Sequence, residues 1–275
     1  MKKHIDLFEF SEVDISKLKE TQIELLLELK KFCDSNNITF YLFAGTLLGA
    51  IRHKGFIPWD DDIDICMPFE DYQKFLSLYK SNEKYFLQTS ETDKGYFYSF
   101  GKLRKNNTEY NELITSKLGS HNGIFIDIFP VSGYPSTFFG RFHFKFWVFC
   151  LNKRSYPLKF IKDKKVKYNF SYHLMSIITW VLLWWCPFNK AARLRDKFIR
   201  KHQYPKSDLC FCGNNYKQIY KKNFFTGKRL VEFEGYKMPS MAKPDDYLTF
   251  AYGNYMELPP IDKRVSHHNC VNFKS

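Results

Sequence analysis

"FIPWDDDIDICM", residues 56–67, sets four aspartates within five positions among bulky apolar residues. Carboxylates at that density repel one another and resist burial unless a cation neutralises them. Read as a strand, the stretch alternates its side chains. Asp60, Asp62 and Asp64 then share one face, while Asp61, Ile63 and Ile65 share the other. The alternation predicts one acidic face and one core face, with Asp61 turned away to a local structural bond. A solvated acidic surface is the plain alternative, but Trp59, Ile63, Ile65 and Met67 mark a packed strand. Hard oxygen ligands in such a row suit Mg²⁺ or Mn²⁺.

Upstream, residues 15–35 carry Ile15, Leu18, Ile23, Leu26, Leu27, Leu29 and Phe32 at helical spacing, which predicts an amphipathic helix ended by Asn36 and Asn37. "ITFYLFAG" (38–45) reads as a buried strand running into a turn at Gly45 and Thr46, then a short helix. A glycine there lets backbone approach a phosphate, and the threonine hydroxyl can donate to one. Arg52, His53 and Lys54 stand just before the acidic strand. Downstream, "FEDYQKFLSLYKSN" (69–82) predicts a second amphipathic helix. Strand-like pieces follow at 84–90, at 97–105 with Lys102 and Arg104, and at "GIFIDIFPVSG" (123–133), where Asp127 stands alone among apolar residues. Asp127 is either a structural carboxylate or a further arm of the metal site. The order of elements predicts an α/β (α+β) fold, a mixed sheet flanked by helices.

The sequence of a hydrophobic stretch, Gly45-Thr46, Asp62-x-Asp64 and a later Asp127 resembles the nucleotidyltransferase fold. The wider stretch "FAGTLLGAIRHKGFIPWDDDIDICMPFEDYQKF" (43–75) is more specific. With "KLRKNNT" (102–108), 123–133 and "YLTFAYGNYMELPPIDKR" (247–264), it resembles the signature of the LicD/fukutin-related family of phosphotransferases. The resemblance implies transfer of phosphocholine, or a similar phospho-alcohol, from CDP-choline or a related CDP-alcohol. The implied acceptor is a sugar hydroxyl of a capsule, teichoic acid or lipopolysaccharide precursor, with CMP leaving. By position, Asp62 and Asp64 align with the metal-binding pair, Asp60 assists, and Asp127 is a ligand or the acceptor of the hydroxyl proton. Gly45, Thr46, Arg52, His53, Lys54, Lys102 and Arg104 are the candidate contacts to donor phosphates. A CDP-glycerol or CDP-ribitol transferase, and a nucleotidyltransferase releasing pyrophosphate, are the alternatives.

The whole chain has 275 residues and a net charge of +13, which favours anionic partners. A nucleic-acid-binding role leaves the aspartate row unexplained, so none is expected. The N-terminal twenty residues hold no apolar signal core, which predicts a cytoplasmic protein. The seven cysteines, without a CxxC pair, read as reduced thiols. "CFCG" (210–213) and "HHNC" (267–270) offer a zinc site only at non-standard spacing. We expect one domain over 1–275 with a helical, aromatic and basic insertion at 138–190. Its run "LMSIITWVLLWWCPF" (174–188) is shorter than the ~20 residues that span a bilayer. It predicts either a buried helical hairpin or a lobe on the anionic inner face of the cytoplasmic membrane, with Trp180, Trp184 and Trp185 at headgroup depth. A lipid-linked glycan would be met there. Arg264, His267 and His268 either close over the site or belong to a mobile tail.

Overall fold

The computed structural model describes residues 8–113, 115–116, 118–155, 170–213, 216, 218–264 and 270–275. The chain opens with α1 (Glu12–Ser35), whose Ser11 side chain accepts from the Asp14 N–H while the Asp14 carboxylate accepts from the Ser11 N–H. This reciprocal cap satisfies two backbone donors that a helix start otherwise leaves open. Leu18, Leu25, Leu26, Leu29 and Cys33 form its buried stripe, at the three- and four-residue spacing of one helix face. β1 (Tyr41–Leu42) leads into α2 (Ala44–His53), and β2 (Asp64–Pro68) into α3 (Phe69–Leu78). β3 (Tyr85–Gln88), β4 (Gly101–Lys105), β5 (Glu109–Glu112) and β6 (Phe125–Tyr134) follow.

Three helices come next: α4 (Phe138–Ser155), α5 (Phe170–Leu183) and α6 (Phe188–Lys201). The chain then forms β7 (Leu209–Cys212), β8 (Tyr220–Lys221), the hairpin of β9 (Arg229–Phe233) and β10 (Tyr236–Ser240), α7 (Pro244–Tyr252), and β11 (Cys270–Lys274). The main sheet runs β1-β2-β6-β4-β3, with β7 on the far half of β6 and β8 beyond it. β2 is parallel to β6 and the other pairings are antiparallel. Helices α1 and α3 pack on this sheet, so the expected mixed α+β, nucleotidyltransferase-like plan is what the chain adopts.

Two local expectations change. The acidic stretch is a strand only from Asp64 onward, and residues 60–63 are loop. The β2–β6 ladder begins with Asp64 opposite Asp127, and before it the chain is held to β6 by the Asp127 N–H donating to the Ile63 carbonyl. Gly45 and Thr46 are not in a turn but lie in the first turn of α2.

The helical insertion leaves at the end of β6 and returns at β7, which pairs with β6 in register (Tyr134 opposite Leu209), and it extends through α6 past residue 190. Its own small core is Tyr134, Phe144, Val148, Ile199 and Phe211. The run at 174–188 is not a buried hairpin. Thr179, Leu183 and Cys186 face inward, whereas Trp180 and Trp184 are 69% and 68% exposed and Ile177, Val181 and Trp185 lie open beside them. Phe138, Phe139 and Phe142 of α4 are also exposed. Among the described residues, no helix is long and apolar enough to cross a membrane.

All seven cysteines are buried and unbridged. Burial pushes the thiols of Cys33 and Cys210 up to about 12, which makes them poor nucleophiles. Cys210 and Cys212 lie in the main sheet and Cys270 in the separate β5–β11 pair, while His267 and His268 lie outside the described residues.

Candidate active site

The acidic loop is fixed from several directions. Gln22 of α1 donates to the Asp61 carbonyl (2.9 Å), and the Tyr110 hydroxyl donates to Asp61 Oδ2 (2.8 Å). Thr46 Oγ1 accepts from the Asp64 N–H (2.8 Å). The Phe43 N–H donates to the Asp64 carbonyl (2.9 Å), and the Asp127 N–H to the Ile63 carbonyl (2.8 Å). Each bond satisfies a polar group that would be costly to leave unpaired near the core. A Cβ at Gly45 would lie 2.7 Å from Asp60 Oδ2, so a side chain there would push that carboxylate out of place. The acidic loop therefore rests against the N-terminal turn of α2, where unpaired N–H groups favour negative charge.

Asp60, Asp61 and Asp62 each bring one carboxylate oxygen within 4.8 Å of the others. Asp61 makes the expected structural bond, yet it does not turn away from the cluster. Strict alternation applies to strands, and this segment is loop. Two oxygens on one divalent ion, each 2.0–2.4 Å from it, lie at most about 4–5 Å apart. The all-oxygen donor set therefore fits a hard divalent cation. Asp64 and Asp127 stand opposite each other in the parallel β2–β6 ladder. Burial, then the carboxylates of Asp62, Asp127 and Asp60, hold the Asp64 carboxyl well above its ordinary range, with Lys102 pulling the other way. A cation beside these groups would relieve that repulsion.

Asp60, Asp62 and Asp64 open together into a cleft of about 630 Å³. Gly45 and Arg52 of α2 form one wall, and Tyr252, Asn254, Tyr255, Glu257 and Lys263 lie on the other. Arg52 ties the two walls together by donating to the Tyr255 carbonyl (2.7 Å), and its Nε donates to His53 Nε2 (3.0 Å). That bond needs a neutral imidazole, and burial followed by the Arg52 charge lowers the His53 pKa accordingly. The Arg264 guanidinium lies over the Trp59 ring, 5.4 Å from its centre, so the C-terminal segment closes one side of the cleft. Burial, then Asp64, Asp60 and Asp62, raise the Tyr252 hydroxyl pKa.

The remaining sequence candidates sit elsewhere. Lys54 is an exposed left-handed cap at the end of α2, where its carbonyl accepts from the Glu234 N–H (2.9 Å). Lys102 and Arg104 do not reach the cleft. Lys102 Nζ lies 3.0 Å from Asp127 and 3.3 Å from Glu112, over the Phe125 ring. The Arg104 guanidinium binds Gln88, the Gly123 carbonyl and Glu112. Both are wholly buried, because β4 lies directly beside β6 and places Lys102 opposite Asp127. They neutralise acids from within. Asp127 is likewise buried and does not line the large cleft.

Nothing local in the sequence marks Gln22, Tyr110 or Glu112 for this site, whereas Lys263 falls inside the 247–264 stretch.

A family model described as LicD/FKTN/FKRP, nucleotidyltransferase domain, matches residues 37–177, which include Asp60, Asp61 and Asp62 of the loop, Asp64 and Asp127. The lipopolysaccharide cholinephosphotransferase LicD of Haemophilus influenzae is 31% identical over 277 aligned residues, covering 91% of this chain and 96% of that protein. An uncharacterised protein of Rickettsia typhi is 42% identical over 60 residues (21% of this chain, 19% of that protein). One from Rickettsia prowazekii is 46% identical over 48 residues (18% of each). A family match across the acidic centre, with a relative alignable along nearly the whole length, places the chain in the LicD/FKTN/FKRP nucleotidyltransferase-domain family.

Proposed function

We propose that this chain is a metal-dependent phosphotransferase that moves phosphocholine, or a similar phospho-alcohol, from a CDP-alcohol to a sugar hydroxyl of a cell-surface glycan. The observation that carries this reading is the cleft into which Asp60, Asp62 and Asp64 open together against the α2 N-terminus. The likeness to a lipopolysaccharide cholinephosphotransferase over nearly the whole chain supports it.

In the reaction, the acceptor oxygen forms a bond to the phosphorus that carries the alcohol. The bond from that phosphorus to the bridging oxygen breaks, CMP leaves with that oxygen, and the hydroxyl proton passes to a carboxylate at the cleft. Such a transfer needs alignment and charge neutralisation more than covalent help. Asp60, Asp62 and Asp64, with Asp61 beside them, would hold Mg²⁺ or Mn²⁺, which when bound supplies positive charge to the diphosphate. Arg52 and Lys263 supply further positive charge from the two walls. Thr46 and Gln22 position the acids, and the Lys102–Asp127 pair sets the field beside Asp64.

We place this chemistry in a single domain over 1–275, held at the inner face of the cytoplasmic membrane by the exposed aromatic face of α4 and α5. Interfacial tryptophans and net positive charge both favour an anionic bilayer.

The decisive experiment supplies purified protein with Mg²⁺ or Mn²⁺, a panel of CDP-alcohols and candidate glycans, and follows the released nucleotide. CMP release dependent on both metal and glycan is the expected result. Release of pyrophosphate, or no dependence on metal, would sink the assignment.

A further inference from the structure

The hairpin of β9 and β10 turns back through Glu234 and Gly235, with Phe233 paired to Tyr236. Both turn residues have positive φ, 50° and 79°. The first place of such a turn ordinarily goes to Asn, Asp or Gly, which tolerate a left-handed backbone best. Glutamate is one methylene longer than aspartate, and its use lies outside the hairpin. The Phe56 N–H donates to Glu234 Oε1 (2.9 Å), and the Glu234 N–H donates to the Lys54 carbonyl (2.9 Å). Gly55 lies between these two bonds, where a Cβ would come 2.1 Å from Glu234 Oε1. The Phe56 ring rests against Phe233, with 5.0 Å between centres.

The gripped segment joins Arg52 of α2 to the acidic loop. Gly55, Phe56 and Ile57 are buried. Helix α2 closes on their other side, where a Cβ at Gly49 would meet the Gly55 carbonyl at 2.4 Å. A buried Phe56 N–H needs an acceptor, and Glu234 supplies it. One residue on, Ile57 lines the acidic cleft, and its carbonyl accepts from the Asp60 N–H (2.9 Å). The hairpin tip thus reaches the Asp60 backbone through Phe56 and Ile57.

We propose that Glu234 is a positioning residue of the acidic cluster: from the hairpin tip it sets the segment that places Asp60 for a divalent cation. The inference rests on the metal-site reading above and deepens it, since it adds an element remote in sequence to the support of that site.

The test compares the native chain with Glu234→Gln and Glu234→Asn. Glutamine keeps an acceptor oxygen at the same reach, whereas asparagine suits the turn but falls short of Phe56. Hydrogen exchange is read by NMR on the intact, metal-free chain. In Glu234→Asn the Phe56 and Asp60 N–H groups are expected to exchange at least about 10-fold faster, with the β9–β10 amides within about twofold. Calorimetry with Mn²⁺ should show about 10-fold weaker binding in the same variant, and Glu234→Gln should stay within about threefold of the native chain in both measurements. Faster exchange at Phe56 with Asp60 unchanged overturns the proposal. So does Mn²⁺ affinity that holds although Asp60 has loosened. Equal losses in the two variants assign the effect to charge rather than to the bond, and overturn it too. Gly55→Ala displaces the same carboxylate from the loop side and replaces Glu234→Asn if that chain does not fold. A native chain that binds no Mn²⁺ sinks the metal reading separately, because exchange at Asp60 is read without metal.

Discussion

Asp64 stands among like charges, and burial and the carboxylates of Asp62, Asp127 and Asp60 all oppose its ionisation. A carboxyl whose folded-state pKa lies above its unfolded value keeps more protons in the folded chain, so stability falls as pH rises through that raised pKa. Thermal melts of metal-free protein between about pH 5 and pH 8 are expected to drop toward neutrality, less so in Asp64→Asn. Added Mg²⁺ should recover the neutral-pH loss in the native chain alone. At neutral pH the metal-free Asp64→Asn protein should melt about 2–4 °C higher than the native one. Its CMP release should fall by at least about 10²-fold. Asp127→Asn should behave oppositely in stability, because it leaves buried Lys102 with a single acid, Glu112, already shared with Arg104. A cost of about 1–3 kcal/mol in denaturant unfolding is expected. An Asp127→Asn protein as stable as the native chain would refute the ion-pair role.

The elements around the cluster show what tertiary structure adds to sequence. Gly45 is a helix residue, so replacing it with alanine should favour α2 by about 0.5–1 kcal/mol. The new Cβ would instead strike the Asp60 carboxylate. The expected Gly45→Ala protein melts no lower than the native one but binds Mn²⁺ about 10-fold more weakly by calorimetry. Helices α1 and α3 were legible because their apolar spacing is a local property, and Asp62, Asp64 and Asp127 because carboxylates among core residues are conspicuous. The extent of β2 was not legible, because where a strand begins depends on where its partner lies. Gln22 and Tyr110 were illegible for the same reason. They reach Asp61 across 39 and 49 residues of chain, and nothing local marks a helical glutamine or a strand tyrosine as its anchor. Lys102 and Arg104 look like phosphate ligands in the sequence, but the β4–β6 register sets Lys102 against Asp127, and Glu112 of β5 meets Arg104.

At the scale of the whole molecule, the lobe of α4 to α6 leaves apolar surface open that a free-standing soluble protein would ordinarily cover. In flotation assays the protein should rise with vesicles containing anionic lipid and stay down with neutral ones. Trp180→Ser combined with Trp184→Ser should cut that binding by about 10-fold or more without lowering turnover on a soluble acceptor. Unchanged flotation would remove the bilayer from the proposal. The sequence announced the aromatic run, but not which side of α5 would be left bare, since that depends on Leu183 and Cys186 docking against Cys150 and Leu151 of α4.

The long strand β6 ties these scales together. It carries Asp127 near one end and, at Tyr134, the root of the helical lobe. Seven residues of extended chain separate the two, a span of about 23 Å. Because β2 and β4 clamp one half and β7 the other, the strand acts as a ruler. If the lobe rests on a bilayer as proposed, the strand would set the stand-off between that surface and the acidic cluster, and an acceptor hydroxyl lying much nearer the surface would be out of register with the acids.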